Sequence, residues 1–291
     1  MYDRLLFPTD GSETATAVLD YALDVADQHG AELHVLNVAD TNRDSVTRVG
    51  GEIVDVLEGE GERIVEEAAD RASERGVPVV TAVLQGDPYR TIADYADEYD
   101  VDLVVMPTHG RRGVERFLLG SVTERVINAT AVPVLAVTPD EGQELAYPVH
   151  DVLVPTDGSP AAERALGEAI ELVRATDATL HLLHVVDTAS LGFDVRSAVD
   201  EETLGEEAEA IVEDAHSTAA AADVTAVTTT VAYGRVYREI LSYIEEHDVD
   251  LVAVGTHGET EFSRYGLGSV SAKIVRTSPV PVLMAGDAAD D

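Results

Sequence analysis

The chain contains no cysteine among its 291 residues. Disulfide bonds, zinc sites built on thiolates and thiol catalysis are therefore excluded, and we expect a cytoplasmic protein. No apolar run approaches the roughly 18 residues that a membrane-spanning helix needs. The first residues carry charges inside a short apolar segment, which predicts a first strand instead of a signal peptide.

Basic residues are scarce: 19 Lys and Arg stand against 56 Asp and Glu, and Lys273 is the only lysine. The formal net charge of −37 opposes binding to nucleic acid, which requires a basic face. The acidic residues are spread along both halves and are not collected in one tail. This distribution favours a halophilic protein, solvated by its carboxylates, over a specialised acidic surface for a partner.

The second half of the chain repeats the first. LLFPTDGS, which begins at Leu5, matches VLVPTDGS from Val152, and DVDLVVMPTHG from Asp100 matches DVDLVAVGTHG from Asp248. These matches predict a tandem duplication of one domain, with domains at residues 1–138 and 151–286. Residues 139–150, which are polar and contain Pro and Gly, form the predicted linker.

Each half shows five short apolar segments that alternate with helical patterns. This predicts two doubly wound α/β domains of the Rossmann-like type, each with a five-stranded parallel sheet. In such sheets, ligands bind beyond the carboxyl ends of the strands, where the strand order reverses. If the first and fourth strands flank that point, the PTDGS turn faces the glycine-rich loop after the fourth strand.

Two helix starts are predicted from local patterns in the first half. Ile53, Leu57 and Ile64 have helical spacing, so the second helix is expected to include Ile53, unless Gly59 and Gly61 mark its true start. The fourth helix is expected to start at Ser121, with Ser121 and Glu124 forming a capping box.

A strand, a glycine-rich loop and a helix start follow one another in both halves. Glycine lets the backbone approach an anion, and the free N–H groups at the helix start then face it. Because the arrangement occurs twice, it predicts a phosphate site in each half. The residues are Gly110, Gly120 and Ser121 in the first half and Gly258, Gly268 and Ser269 in the second.

Other residues near these loops have two interpretations. Asp10 and Asp157 follow the first strand, and each either contacts a ribose hydroxyl or a magnesium ion through water, or caps the loop. Val38 and Val185 end the second strand, where their backbone groups either read an adenine edge or only support core packing. His109 lies in the first glycine loop, where a packing or hydrogen-bonding role is favoured over catalysis.

The PTDGS turn, followed by a Thr-His-Gly segment, nine residues and Gly-Ser-Val, resembles the universal stress protein family in both halves. The resemblance implies ATP-binding stress or regulatory proteins that dimerise and show slow or no hydrolysis. Pro107 stands where the second half has the leading glycine of the family pattern, Gly255. The nucleotide-binding residues that the resemblance implies are Pro8, Thr9, Asp10, Val38, Met106, Gly110, Gly120, Ser121, Val122, Thr123, Pro155, Thr156, Asp157, Val185, Val254, Gly255, Gly258, Gly268, Ser269, Val270 and Ser271.

The sequence therefore predicts a regulatory protein that binds ATP, or ADP or AMP, together with Mg²⁺. Two alternatives remain: a slow ATPase, and an interaction protein that regulates a transporter or kinase with structural or empty nucleotide sites. No phosphate-loop lysine or catalytic triad is present in the sequence, which favours holding a nucleotide over rapid chemistry. No catalytic residues or metal ligands are assigned, and no membrane insertion is expected.

The two halves are expected to differ and to associate. Arg111 and Arg112 follow Gly110, whereas Glu259 and Glu261 follow Gly258, so the first site is expected to prefer ATP over AMP more strongly. The last strand of each half is short and apolar, which predicts that the halves form an internal pseudo-dimer or that the chain forms a homodimer.

Overall fold

The computed structural model describes residues 2–40, 46–49, 52–109, 119–139, 145–188, 201–256 and 267–286. The chain divides into two compact units. Unit 1 comprises Met1–Pro148 and Gly286–Asp291, and unit 2 comprises Val149–Ala285. Most of the predicted linker therefore belongs to unit 1.

Unit 1 alternates strands and helices along the chain. Its strands are β1 (Arg4–Pro8), β2 (Glu32–Asp40), β3 (Val46–Val49), β4 (Glu52–Asp55), β5 (Val79–Gly86), β6 (Leu103–Pro107) and β7 (Val134–Val137). Its helices are α1 (Glu13–His29), α2 (Val56–Glu74), α3 (Pro88–Glu98) and α4 (Ser121–Ala129).

The main sheet of unit 1 is parallel, with strand order β7-β6-β1-β2-β5. β1 lies in the middle, and it pairs with β2 on one side and with β6 on the other. The strand order therefore reverses between β1 and β6, which confirms the expectation that the first and fourth strands flank this point. The turns after β1 and β6 leave the sheet at the same edge.

Unit 2 repeats this arrangement. Its strands are β8 (Asp151–Pro155), β9 (Thr179–Asp187), β10 (Val227–Gly234), β11 (Leu251–Gly255) and β12 (Val282–Ala285), in the order β10-β9-β8-β11-β12. Its described helices are α5 (Pro160–Thr176), α6 (Glu201–Ala221), α7 (Val236–Glu246) and α8 (Ser269–Thr277). Among the described residues of the whole chain, no helix is both long and apolar enough to cross a membrane.

The helix after the first strand of each unit starts at a serine cap. The Ser12 Oγ accepts a hydrogen bond from the Ala15 N–H, and the Ser159 Oγ accepts one from the Ala162 N–H. Such caps contribute about 1 kcal/mol each. The apolar stripe that the sequence predicts for α1 is buried against the sheet, with Val18 and Ala22 fully inaccessible to solvent.

Two local predictions were wrong. Ile53 belongs to β4, where it pairs with Arg48 of the antiparallel hairpin β3–β4, and α2 starts only at Val56. The helical spacing of Ile53 and Leu57 is therefore fortuitous, because strand pairing overrides it. The capping box is absent as well, because the N-cap of α4 is Gly120, which has no side chain, and Ser121 is the first helical residue.

An aromatic cluster attaches residue 147 to α1 within unit 1. The His29 Nε2 lies 2.5 Å from the Tyr147 hydroxyl, and the His29 ring makes an edge contact with Tyr2 at 4.9 Å between centroids. Tyr21 also meets the Tyr147 ring edge-on. Burial lowers the pKa of His29 from 6.5 to about 4, because the cluster disfavours the charged imidazolium.

We expect this cluster to make stability depend on pH. Between pH 6.5 and about 4 the unfolded chain binds a proton at His29 that the folded chain does not, so stability falls as the pH drops through this window. Because His29 is only half-buried, the expected loss is about 1–2 kcal/mol rather than the full value of the shift. Urea denaturation at about pH 7.5 and about pH 5 measures it. The variant His29→Gln should show a correspondingly smaller pH dependence, and an unchanged dependence would contradict the assignment.

Candidate phosphate-binding site

The turns after β1 and β6 lie where the strand order of unit 1 reverses, and we call the space between them the crevice. The turn between β1 and α1 forms one of its walls. The Thr9 N–H donates to the Leu36 carbonyl at 2.9 Å, and the Asn37 amide donates to the Thr9 carbonyl at 2.7 Å. Beyond it, the Asp10 Oδ1 accepts from the Ser12 N–H at 3.0 Å, with Gly11 at φ +70° completing the bend. Asp10 therefore has the loop-capping role that the sequence allowed, and it remains half-exposed at the sheet edge.

Unit 2 contains the same turn, between β8 and α5, with one side chain exchanged. The Asp157 Oδ1 accepts from the Ser159 N–H at 3.0 Å, as Asp10 does in unit 1. The His184 Nδ1 lies 2.8 Å from the Thr156 carbonyl, so it takes the place of the Asn37 amide. Because a carbonyl only accepts, this nitrogen carries the proton. Sequence reasoning missed this contact.

The loop that follows β6 in unit 1 and β11 in unit 2 is closed at its base by hydrogen bonds. In unit 1 the Gly120 N–H donates to the Thr108 carbonyl at 2.6 Å, and the Thr123 hydroxyl donates to the Pro107 carbonyl at 2.9 Å. Unit 2 has the equivalent bonds, from the Gly268 N–H to the Thr256 carbonyl at 2.8 Å and from the Ser271 hydroxyl to the Gly255 carbonyl at 2.7 Å. The hydroxyls of Thr123 and Ser271 therefore hold the turn by bonding to the carbonyls at the ends of β6 and β11.

The helices that follow these loops start without a side-chain cap. Gly120 and Gly268 are the N-caps of α4 and α8, and neither provides a capping hydrogen bond. The first helical bond of α4 runs from the Glu124 N–H to the Gly120 carbonyl, so the N–H groups before it lie outside the helical ladder. Helices α1 and α5 have a serine side-chain cap at their starts, whereas the N-cap glycines of α4 and α8 provide none.

Two of the site glycines lie close to neighbouring backbone, and the contact is severe at Gly255. A Cβ at Gly120 would lie 3.1 Å from the Thr108 carbonyl oxygen, which is a tight contact with backbone. A Cβ at Gly255 would lie 2.5 Å from the carbonyl oxygen of Ala161, in the first turn of α5. Gly255 is therefore explained by the approach of α5, while unit 1 accommodates a proline, Pro107, at the equivalent strand end.

Backbone groups of the second strand face the crevice. Alternate residues of a strand direct their backbone groups to opposite sides, and the Leu36 carbonyl points toward β1, where it accepts from Thr9. The backbone groups of Val38 point the same way as those of Leu36. They lie beyond the pairing between β1 and β2, which ends at Pro8 and Leu36. Val185 has the corresponding position in unit 2, two residues after Leu183, which accepts from Thr156.

The remaining predicted residues lie at or next to the strand ends, or in the loops. Met106 and Val254 are buried in β6 and β11, next to the strand ends, and Pro8 and Pro155 end β1 and β8. The His109 Nδ1 lies 3.1 Å from the Thr108 hydroxyl, which agrees with the hydrogen-bonding role favoured for it. Gly110 and Gly258, together with Arg111, Arg112, Glu259 and Glu261, lie outside the described residues.

Comparisons with known proteins agree on one family. The model of the universal stress protein family matches residues 1–138 and 148–286. A universal stress protein from Methanocaldococcus jannaschii is 35% identical over 140 residues, which cover 47% of this chain and 82% of that protein. One from Mycobacterium bovis is 30% identical over 240 residues, which cover 78% of this chain and 77% of that protein. The crystal structure of a universal stress protein from Archaeoglobus fulgidus is similar with a TM-score of 0.73 and 28% identity, over 97% of this chain and 98% of that one.

Proposed function

The chain belongs to the universal stress protein family, and we propose that it is a cytoplasmic stress-response or regulatory protein whose two domains each bind an adenine nucleotide, with ATP as the first candidate. One observation carries the proposal: in both units a loop closed at its base leads into a helix whose N-cap is glycine, which offers no side-chain cap to the backbone donors of the first turn. Such donors, together with the positive end of the helix dipole, favour a phosphate group.

Each part of the nucleotide has a proposed position in the crevice. The phosphates lie at the start of α4 in unit 1 and of α8 in unit 2, against the N–H groups of Val122 and Val270. The ribose lies beside Asp10 or Asp157, whose carboxylates are half-exposed at the sheet edge. The adenine edge meets the backbone of Val38 or Val185, which faces the crevice beyond the end of the neighbouring strand.

Magnesium enters this proposal only together with the nucleotide. Within the described residues, no group of three or more His, Asp or Glu side chains is arranged to hold a metal ion. A hydrated Mg²⁺ that bridges phosphate oxygens needs few protein ligands, and Asp10 and Asp157 are the carboxylates placed to contact its waters. The ion would neutralise phosphate charge, which matters in a chain with a net charge of −37.

Binding without rapid turnover fits these residues best. The sequence offers no phosphate-loop lysine for phosphoryl transfer, and the hydroxyls of Thr123 and Ser271 are engaged by strand-end carbonyls. A steady-state turnover assay separates this proposal from a slow ATPase. Nucleotide that stays bound through purification separates it from an interaction protein with empty sites.

The proposal is tested by calorimetry with MgATP in high-salt buffer. We expect the wild-type chain to bind two equivalents, and Gly120→Val or Gly268→Val to remove one each. Both substitutions add a branched side chain at the N-cap, which should hinder close approach of the backbone to the phosphate. The lost charge-assisted bonds correspond to a weakening of about tenfold or more at that site.

A matched control is available for this experiment. Gly167 lies in α5, with open space around its missing side chain, so Gly167→Ala should leave both sites intact. The proposal fails if the wild-type chain binds no ATP, or if both sites persist in the double variant.

A further inference from the structure

Three basic side chains gather where two helices of unit 2 begin. Arg235 is the N-cap of α7, Arg238 lies in the first turn of the same helix, and Lys273 lies one turn into α8. The Lys273 Nζ lies 4.8 Å from the centroid of the Tyr237 ring, and the Arg238 Nε donates to the Tyr237 hydroxyl at 3.3 Å. We call Arg235, Tyr237, Arg238 and Lys273 the cation cluster.

The position of the cation cluster is electrostatically unfavourable unless an anion is present. Helix N-termini carry partial positive charge and prefer acidic side chains, yet α7 has arginine at its N-cap. The three cations are drawn from only 19 in a chain with 56 acidic residues. Local conflicts of this kind mark functional sites in otherwise consistent sequences.

Within the part of the chain that the structure describes, the acidic groups at these helix starts do not neutralise the cation cluster. Glu239, in the first turn of α7, is the acidic residue of that turn, and its carboxylate lies against Gly234 at the end of β10. The first turn of α8 contains no acidic residue. Asp187, whose Cα pairs in register with that of Gly234, adds a second carboxylate next to the start of α7. Counting Glu239 and Asp187 against the three cations leaves one net positive charge among the described residues. The hydrogen bonds from Arg238 and Arg235 also lower the pKa of Tyr237, as expected for a phenol inside a positive field.

Unit 1 provides an internal comparison. Tyr89 contacts Arg90 through a hydrogen bond of 2.8 Å, and the Arg125 guanidinium lies 5.2 Å from the centroid of the Tyr89 ring. However, the N-cap of α3 is Asp87, and the first turn of α4 contains Glu124. Asp40 pairs with Gly86 just before α3, so the described residues here hold two cations and three acids in unit 1. Among the described residues of these helix starts, the positive surplus is therefore found in unit 2.

The cation cluster adjoins the proposed phosphate site of unit 2. Ser269 and Lys273 are four residues apart in α8, so they lie on one face of the helix, and both are exposed. Helix α7 packs against α8, which brings the start of α7 to the same region. An anion held by the first N–H groups of α8 and extended along this face would meet Lys273 next.

We propose that the cation cluster is a second anion subsite, continuous with the phosphate site of unit 2, that takes the terminal phosphates of a nucleoside triphosphate or a longer polyphosphate chain. The proposal rests on the proposed nucleotide site. It makes unit 2 the domain with the stronger preference for triphosphate over monophosphate. This is opposite to the preference expected from the loop charges at residues 111–112 and 259–261, which lie outside the described residues.

The test compares Arg238→Gln/Lys273→Gln with Arg164→Gln/Arg174→Gln, which removes the same charge from exposed positions of α5. Both are made in the full chain with Gly120→Val, so that unit 2 is measured alone. Calorimetry at roughly 0.15 M KCl, where the Debye length is about 8 Å, uses ATP, AMP and inorganic tripolyphosphate as probes. The cluster variant should bind ATP and tripolyphosphate about tenfold more weakly, with AMP changed less than about threefold.

Each outcome decides one claim. If ATP and AMP weaken equally, or if the α5 variant loses as much ATP affinity as the cluster variant, the subsite is wrong while the nucleotide site stands. If ATP affinity is the same in all variants, the subsite is also wrong. If the parent protein binds tripolyphosphate through the cation cluster but binds neither ATP nor AMP, the proposed nucleotide function fails and the anion subsite survives.

Discussion

Gly255→Ala is expected to lower the free energy of unfolding by about 3 kcal/mol or more, although it adds a single methyl group. The added Cβ would lie 2.5 Å from the carbonyl oxygen of Ala161 and 2.6 Å from its carbonyl carbon. These are backbone atoms of the first turn of α5, so no side-chain rotation relieves the contact. Either α5 moves away from β11 or the end of β11 is displaced.

The same chemical change at Gly167 should have the opposite sign. Gly167 is exposed in the middle of α5, and nothing lies within contact distance of a Cβ built there. Alanine is favoured over glycine inside helices, so Gly167→Ala should raise the free energy of unfolding by about 0.5–1 kcal/mol. The two variants differ only in what surrounds the new methyl group.

Urea denaturation at fixed KCl concentration measures both variants. A Gly255→Ala protein as stable as wild type would mean that the approach of α5 is not what excludes a side chain at this position. In that case a ligand contact would become the better explanation of the glycine. A stable variant that lost nucleotide binding would favour that explanation directly.

Raising KCl from about 0.1 to about 1 M should raise the melting temperature by at least about 5 °C, equivalent to roughly 2 kcal/mol for a chain with domains of this size. The 56 acidic residues exceed the 19 basic ones by 37, so at least that many carboxylates have no basic side chain of their own. Cross-helix pairs such as Arg71 with Asp20 and Arg75 with Asp24 use part of this small supply of cations. The remaining like charges repel one another in the compact state.

The shape of the salt dependence identifies its cause. Screening is almost complete near 1 M, where the Debye length is about 3 Å, so stabilisation by screening should level off there. Stabilisation through exclusion of salt from apolar surface would continue to rise and would be larger for sulfate than for chloride. A melting temperature that does not change between the two KCl concentrations would contradict the repulsion account.

The sequence by itself determined the repeat, the doubly wound fold and the reversal of strand order beside β1. These follow from the alternation of buried strands with amphipathic helices, because hydrophobic periodicity and short connections leave few topologies. A serine cap such as Ser159, which Pro160 follows, is a local signal of the same kind, since capping depends on residues next to each other in the chain.

The tertiary structure alone decided features that depend on neighbours distant in sequence. Ile53 became a strand residue because it pairs with Arg48, and Gly255 is required because Ala161 approaches it from another element. The hydroxyls of Thr123 and Ser271 turn toward strand-end carbonyls, and Lys273 meets Tyr237 only because α7 packs on α8. Local patterns specify which elements form, whereas the surroundings of a side chain are set by packing between elements, which no short-range pattern encodes.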